Sequence, residues 1–224
     1  MPGRKTPLVN NEIYHIFNKG IASQPTFLNK REYARAIETV RYYQNINTPV
    51  KYAKFLILST DERRKLLGQF MKQRKWLVDI IAFCFMPNHF HFLMKQLVDN
   101  GISKFMSNFT NSYTRYFNTK HDRNGPLFTG KFKSVRIETE EQLIHTSRYI
   151  HLNPLTSYIV KTTEDLEKYP YSSFLEYMEI NTAGLCNKDI LLPFFKDKDA
   201  YKNFVFDNRD YQRELNKIKH LLQE

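Results

Sequence analysis

Apolar and polar positions change period several times along this chain, and each change predicts an element. EIYHIFNKG (12–20) alternates and closes on a turn signal, Asn18-Lys19-Gly20, which predicts a strand. KREYARAIETVRYYQNI (30–46) places Tyr33, Ile37, Val40 and Tyr43 at helical spacing and predicts a helix. Residues 61–75, DERRKLLGQFMKQRK, hold six basic and two acidic residues and read as an exposed helix or loop. LVDIIAFCFMPNHFHFLMKQ (77–96) is two β-rich runs joined at Met86-Pro87-Asn88, good turn chemistry, and predicts a hairpin. GISKFMSNFTNSYTRYFNTK (101–120) sets Ile102, Phe105, Phe109, Tyr113 and Tyr116 on one stripe of a helix. GPLFTGKFKSVRIET (125–139) begins as a glycine-punctuated loop and ends in a short strand. TEEQLIHTSRYIHLN (139–153) opens on a capping box, Thr139 with Gln142, and is expected to stop at Pro154. YPYSSFLEYM and residues 198–223 read as further helical segments.

The order strand, helix, strand, strand, helix, strand is the split βαβ pattern. The expectation is an α+β fold: a ferredoxin-like antiparallel sheet with helices on one face, plus a helical C-terminal extension. The boundary is expected near residue 160, giving a domain over 9–160 and an extension over 161–224.

Composition narrows the partner. The 224 residues carry a net charge of +11, which favours a polyanion, nucleic acid first, although a merely basic surface has the same charge. The two cysteines, Cys84 and Cys186, form no CxxC pair, so neither a zinc knuckle nor a disulfide framework is expected. The N-terminal MPGRKTPLVNNE lacks the apolar core of a signal peptide, and IIAFCFMP falls far short of the roughly 20 residues that span a bilayer. A reducing cytoplasm is the expected location, with no membrane partner.

The hairpin then raises a chemical question. His89 and His91 lie two apart on a strand and so project to one face, while Phe90 and Phe92 point the other way. Two imidazoles can share a divalent ion. A third ligand has to come from elsewhere, and SRYIHLNPL offers Asn153, whose amide oxygen suits a hard cation such as magnesium. Tyr149 stands four residues before Asn153 on the same helical face. A phenol is a poor nucleophile at neutral pH, with a pKa of about 10. An ion that polarises a phosphate offsets this, so the expected chemistry is attack by Tyr149 on a DNA phosphodiester to give a covalent phosphotyrosine. Each residue alone has a plainer reading: a hydrogen-bonded or exposed histidine, a core tyrosine, a helix-stop asparagine. Their combination carries the argument.

FMPNHFHFLM followed by SRYIHLNPL resembles the single-tyrosine HUH transposases of the insertion-sequence 200/605 superfamily, closest to the REP-associated tyrosine transposase branch. YHIFNKG, SYTRYFNTKHDRNGPLFTGKFKS and YPYSSF are similar to stretches of the same family, so the resemblance runs from about residue 9 to 178. It implies a ferredoxin-like fold, single-stranded DNA as substrate, often with a hairpin end, Tyr149 as nucleophile, and His89, His91 and Asn153 as ligands of Mg2+ or Mn2+. Some relatives use glutamine at the third ligand. His15 and His151 are runners-up for that place, with His151 expected to be exposed or helix-capping and His145 solvated.

Residues 104–136 hold seven basic residues and a single acid, Asp122. Arg115, Lys120, Arg123, Lys131, Lys133 and Arg136 are expected to bind DNA, with Phe128 and Phe132 either stacking on bases or buried in the core. The leading expectation is a metal-dependent transposase-like nuclease and strand transferase working through a 5′-phosphotyrosine, possible as a homodimer with the tyrosine helix serving either chain. The competing readings are a domesticated, non-catalytic single-strand-binding module, and a phosphoesterase that uses water.

Overall fold

The computed structural model describes residues 7–73, 75–180 and 184–207. Strands β1 (Ile13–Lys19), β2 (Val78–Met86), β3 (His89–Gln96) and β4 (Lys133–Ile137) form one antiparallel sheet in the order β2-β3-β1-β4. Helix α1 (Lys30–Tyr43) leads from β1 towards β2, with the short α2 (Tyr52–Phe55) and the exposed α3 (Thr60–Gln73) in between. Helix α4 (Gly101–Lys120) leads from β3 to β4. This is the ferredoxin-like α+β arrangement that the element order predicted. Among the described residues no helix is long and apolar enough to cross a membrane.

The period-two alternation divides the sheet into two buried faces. Tyr14, Ile16, Phe83, Phe85, Phe90 and Phe92 pack against Tyr33, Val40, Phe105, Phe109 and Tyr113 of α1 and α4. Ala82, Cys84, Met86, Leu93 and Ile137 turn the other way. They pack under α5 (Glu140–Thr156), α7 (Phe174–Tyr177) and α8 (Lys198–Phe206), while the short α6 (Thr163–Leu166) adds Leu166. Helices of the ferredoxin-like unit itself, α1 and α4, therefore share one face as expected, and α5 with the C-terminal segment covers the second. Burial on both faces explains why β2 and β3 read as near-continuous apolar runs.

The C-terminal segment also closes the β2 edge of the sheet. Phe85 N–H donates to Tyr171 O (2.9 Å), Ser173 N–H to Phe83 O (2.9 Å) and Asn187 N–H to Ile80 O (2.7 Å). Tyr169 and Tyr177 donate their hydroxyls to Phe85 O and Ile81 O. Unpaired edge groups invite association with other chains, and here the chain satisfies them itself. Only Phe174–Tyr177 of YPYSSFLEYM is helical; the residues before it form turns around an isolated bridge between Ser172 and Cys84, because β2 offers them partners. Of the helix expected over 198–223, α8 ends at Phe206, and residues 208–224 lie outside the described residues.

Three local expectations change. α5 passes through Pro154 and ends at Thr156, because a proline in the last turn forfeits one backbone bond without blocking the carbonyls behind it from finding others, such as Asn153 O from Ser157 N–H. Gln142 does close the capping box, but on Glu138 N–H, while Thr139 caps Gln142 N–H. On α4 the stripe is finished by Phe117, whereas Tyr116 is half-buried under Arg35.

Candidate active site

The β2–β3 turn is built to aim the histidines. Pro87 and Asn88 form a two-residue connection, the tightest that joins antiparallel strands. Pro87 O accepts from Thr26 N–H and Phe27 N–H, and Asn88 Nδ2 donates to Ser23 O, so the preceding loop grips the turn. Asn88 Oδ1 lies 2.7 Å from His89 Nδ1, which orients the first imidazole. His91 follows on the same face, its ring 4.9 Å from that of His89.

Register adds a third histidine. On β1, Phe17 pairs with His91 and His15 with Leu93, so His15 lies diagonally beside His91 on one face. His15 Nε2 stands 3.0 Å from His91 Nδ1, and the rings stack at 5.2 Å. Both are fully buried. His15, the sequence's runner-up as third ligand, sets its Nε2 against the side of His91 away from Asn153.

Helix α5 delivers the remaining groups. It carries apolar residues on every side and is buried nearly all round, as a helix caught between two layers must be. Tyr149 and Asn153, one turn apart, face the histidines. The Tyr149 ring is 5.5 Å from that of His91 and 6.0 Å from that of His15, edge-on to both. Asn153 Nδ2 is 3.3 Å from His91 Nε2, and Asn153 Oδ1 accepts from the Ser157 hydroxyl. The amide can exchange its ends and keep both contacts, which would turn its oxygen to the His91 nitrogen.

The donor set fits a divalent ion. Among the described residues no three histidine, cysteine, aspartate or glutamate side chains are arranged to hold one, so an ion at this face would need an amide such as that of Asn153 beside the imidazoles. Its 3.3 Å spacing from His91 Nε2 is close to the roughly 3 Å that separates adjacent ligands on an ion bound at about 2.1 Å.

The sheet brings one of the expected DNA-binding cations to this face. Lys133 pairs with Phe17 across β1–β4, and its ammonium lies 5.7 Å from the centre of the Phe17 ring, which in turn lies 5.9 Å from His91. The others are elsewhere. Arg115, Lys120 and Arg123 line an open groove of about 1300 Å³ beside α1 and α4, on the opposite side of the sheet. Asn108, Asn111 and Asn118 share that groove. Lys120 is tied to the buried Glu32 at 2.7 Å, and Arg136 to Glu12 at 2.8 Å. Arg115 and Lys131 form no ion pair among the described residues. Lys131 and Phe132 border a smaller cleft of about 610 Å³. Phe128 is a core residue, packed against Phe90 and Tyr113, which decides its role against base stacking.

Two histidines differ from expectation. His151 is fully buried between Ser173 and Tyr201, at 2.7 Å from each, and burial pushes its pKa down to about 3. His145 is half-buried against Phe204. Both point to the C-terminal segment, whose partners no local sequence window reveals.

Residues 41–153, just over half the chain, match the family model described as IS200-like transposase. No curated protein matches the sequence. Among solved structures, a REP-associated tyrosine transposase bound to a REP hairpin superposes with a TM-score of 0.55 at 14% identity, covering 84% of this chain and 90% of that one.

Proposed function

The chain belongs to the IS200-like transposase family, and from that premise we propose that it cuts and rejoins single-stranded DNA with Tyr149 as the nucleophile. The observation that carries the reading is the meeting, within one chain, of Tyr149, His91 and Asn153: the two rings 5.5 Å apart and the amide 3.3 Å from the imidazole. Three residue types drawn from a strand and a helix converge where a phosphodiester could reach all of them.

The Tyr149 oxygen attacks the phosphorus, a bond forms between them, and the bond from phosphorus to the 3′ oxygen breaks. The phenolic proton leaves to solvent and the departing 3′ oxygen takes one up as a hydroxyl. The product is a 5′-phosphotyrosine and a free 3′ end. Because one phosphoester replaces another, a second 3′ hydroxyl can reverse the step and join a new strand. A divalent ion, Mg2+ or Mn2+, would be held by His89, His91 and Asn153 and would supply charge stabilisation at the non-bridging oxygens. Lys133 provides a fixed cation on the same face.

The DNA is proposed to touch both sides of the sheet. Arg115, Arg123 and the amides of the α4 groove suit a phosphate backbone, and Lys131 and Lys133 follow the β4 edge round to the active site. The structural neighbour carries a REP hairpin, and a hairpin-ended single strand is the substrate form we assign to this chain.

The test is a denaturing gel with labelled hairpin oligonucleotides from the flanks of the gene, run with and without Mn2+, wild type beside Tyr149→Phe. A labelled protein band that needs the metal and vanishes in the variant is expected. Cleavage without a band would assign the chemistry to water, and binding without either would make the chain a binding module.

A further inference from the structure

The role of the C-terminal segment follows from the far side of α5. Residues two apart on a helix lie about 200° apart round its axis, so Ser147 and His151 face away from Tyr149 and Asn153. His151 Nδ1 is 2.7 Å from the Tyr201 hydroxyl and Nε2 is 2.7 Å from Ser173 Oγ. The Tyr201 hydroxyl is also 3.3 Å from Ser147 Oγ, one turn back on α5. Ser173 in turn is locked to β2: Phe83 N–H donates to Ser173 Oγ at 2.8 Å, and Phe83 O lies 3.2 Å from the same oxygen. Ser147 gives its own proton to Ile144 O, so the single Tyr201 proton serves either Ser147 or His151, and one assignment satisfies both His151 nitrogens. His151 Nε2–H donates to Ser173, the Ser173 hydroxyl donates to Phe83 O, and the Tyr201 hydroxyl donates to Nδ1.

We propose that His151 is a positioning residue: by bonding Ser173 and Tyr201 it sets the rotation of α5, and so the aim of Tyr149 at the histidine face. The proposal rests on Tyr149 as nucleophile. It makes the C-terminal segment part of the catalytic device, because both partners of His151 come from beyond residue 160. A turn of α5 by a few tens of degrees would carry the phenol past the phosphate without disturbing where DNA binds.

Two variants with the same chemical loss separate aim from stability. Tyr201→Phe removes the hydroxyl that bonds His151; Tyr177→Phe removes a buried hydroxyl that bonds Ile81 O at 2.8 Å and has no hydrogen bond to His151. Both are expected to lower Tm. At saturating hairpin DNA, adduct formation by Tyr201→Phe is expected to slow by roughly tenfold or more, with DNA affinity unchanged, whereas Tyr177→Phe keeps the wild-type rate. His151→Asn, which retains a polar atom near the Nδ1 position, is expected to recover part of the rate lost in His151→Leu. Hydrogen exchange of the α5 amides gives a readout that does not depend on catalysis: faster in Tyr201→Phe, unchanged in Tyr177→Phe. Equal rates in the two tyrosine variants, with equal exchange, would overturn the proposal. If wild type forms no adduct, the nucleophile reading fails instead, and exchange still reports whether the clamp holds the helix.

Discussion

His91 engages both ring nitrogens, and that decides what His15 does. If Nε2 is the ligating nitrogen on the Asn153 side, the proton sits on Nδ1 and is donated to His15 Nε2, 3.0 Å away. His15 then orients a ligand without being one. His15→Leu is expected to weaken Mn2+ binding by about 10- to 100-fold, the usual cost of losing an orienting partner, while His91→Ala abolishes it. Calorimetric titration with Mn2+ measures this, and wild-type affinity in His15→Leu would refute the orienting role. The same residues show how far the sequence reached. His89 with His91 and Tyr149 with Asn153 are spaced by the periods of a strand and a helix, so each pair was legible within a few residues. Pairing His15 with His91 depends on the β1–β3 register across 76 positions, which no short window carries.

Between elements, Glu32 joins the start of α1 to the end of α4. Its buried carboxylate accepts from Leu28 N–H, Asn29 Nδ2, Lys120 and His121. Burial raises its pKa, but the donors from Lys120, Leu28 and His121 outweigh that and hold it below the ordinary 4.5. A carboxyl depressed in the folded state stabilises the fold above its unfolded pKa, and that stability is lost as pH falls through the folded value. Glu32→Gln is therefore expected to cost about 1–3 kcal/mol at pH 7. The gap from wild type should narrow as the pH falls below the ordinary carboxylate range and through the depressed folded value, which urea denaturation at a series of falling pH values would follow. A gap that stays constant down to the acid limit of folding would mean the ionised carboxylate is not what holds the helices. Lys120 belongs to this tie and, with its charge committed, is expected to contribute less to DNA binding than Arg115. The helices themselves were legible from their apolar stripes. The tie was not, because Glu32 reads as an ordinary exposed first-turn acid and its partners lie 88 and 89 residues away.

At the scale of the whole molecule, the residues after 160 decide whether the sheet can stand alone. The ferredoxin-like order from β1 to β4 was legible because alternation and helical spacing are local. That the second face is covered by α5 together with the C-terminal segment was not, because β2 is apolar on both faces and an apolar run does not say what buries it. Ile81, Cys84 and Met86 lie at 0% exposure under that cover, and Tyr171, Ser173 and Asn187 satisfy the outer edge of β2. A chain ended at residue 160 would keep α5 but bare the apolar surface that α7 and α8 cover, beside an unpaired edge strand, the combination that drives strand-to-strand aggregation. It is expected to be insoluble, or to refold as a non-cooperative state, although every candidate site residue is still present. The measurement is soluble yield with thermal unfolding by circular dichroism, compared with a chain ended at residue 207, which keeps α8 and should melt as one cooperative unit. A soluble, cooperative 1–160 chain that still forms the Tyr149 adduct would show the C-terminal segment to be an accessory. Failure of 1–160 alone would show that the segment and the second face of the sheet fold as one structural unit.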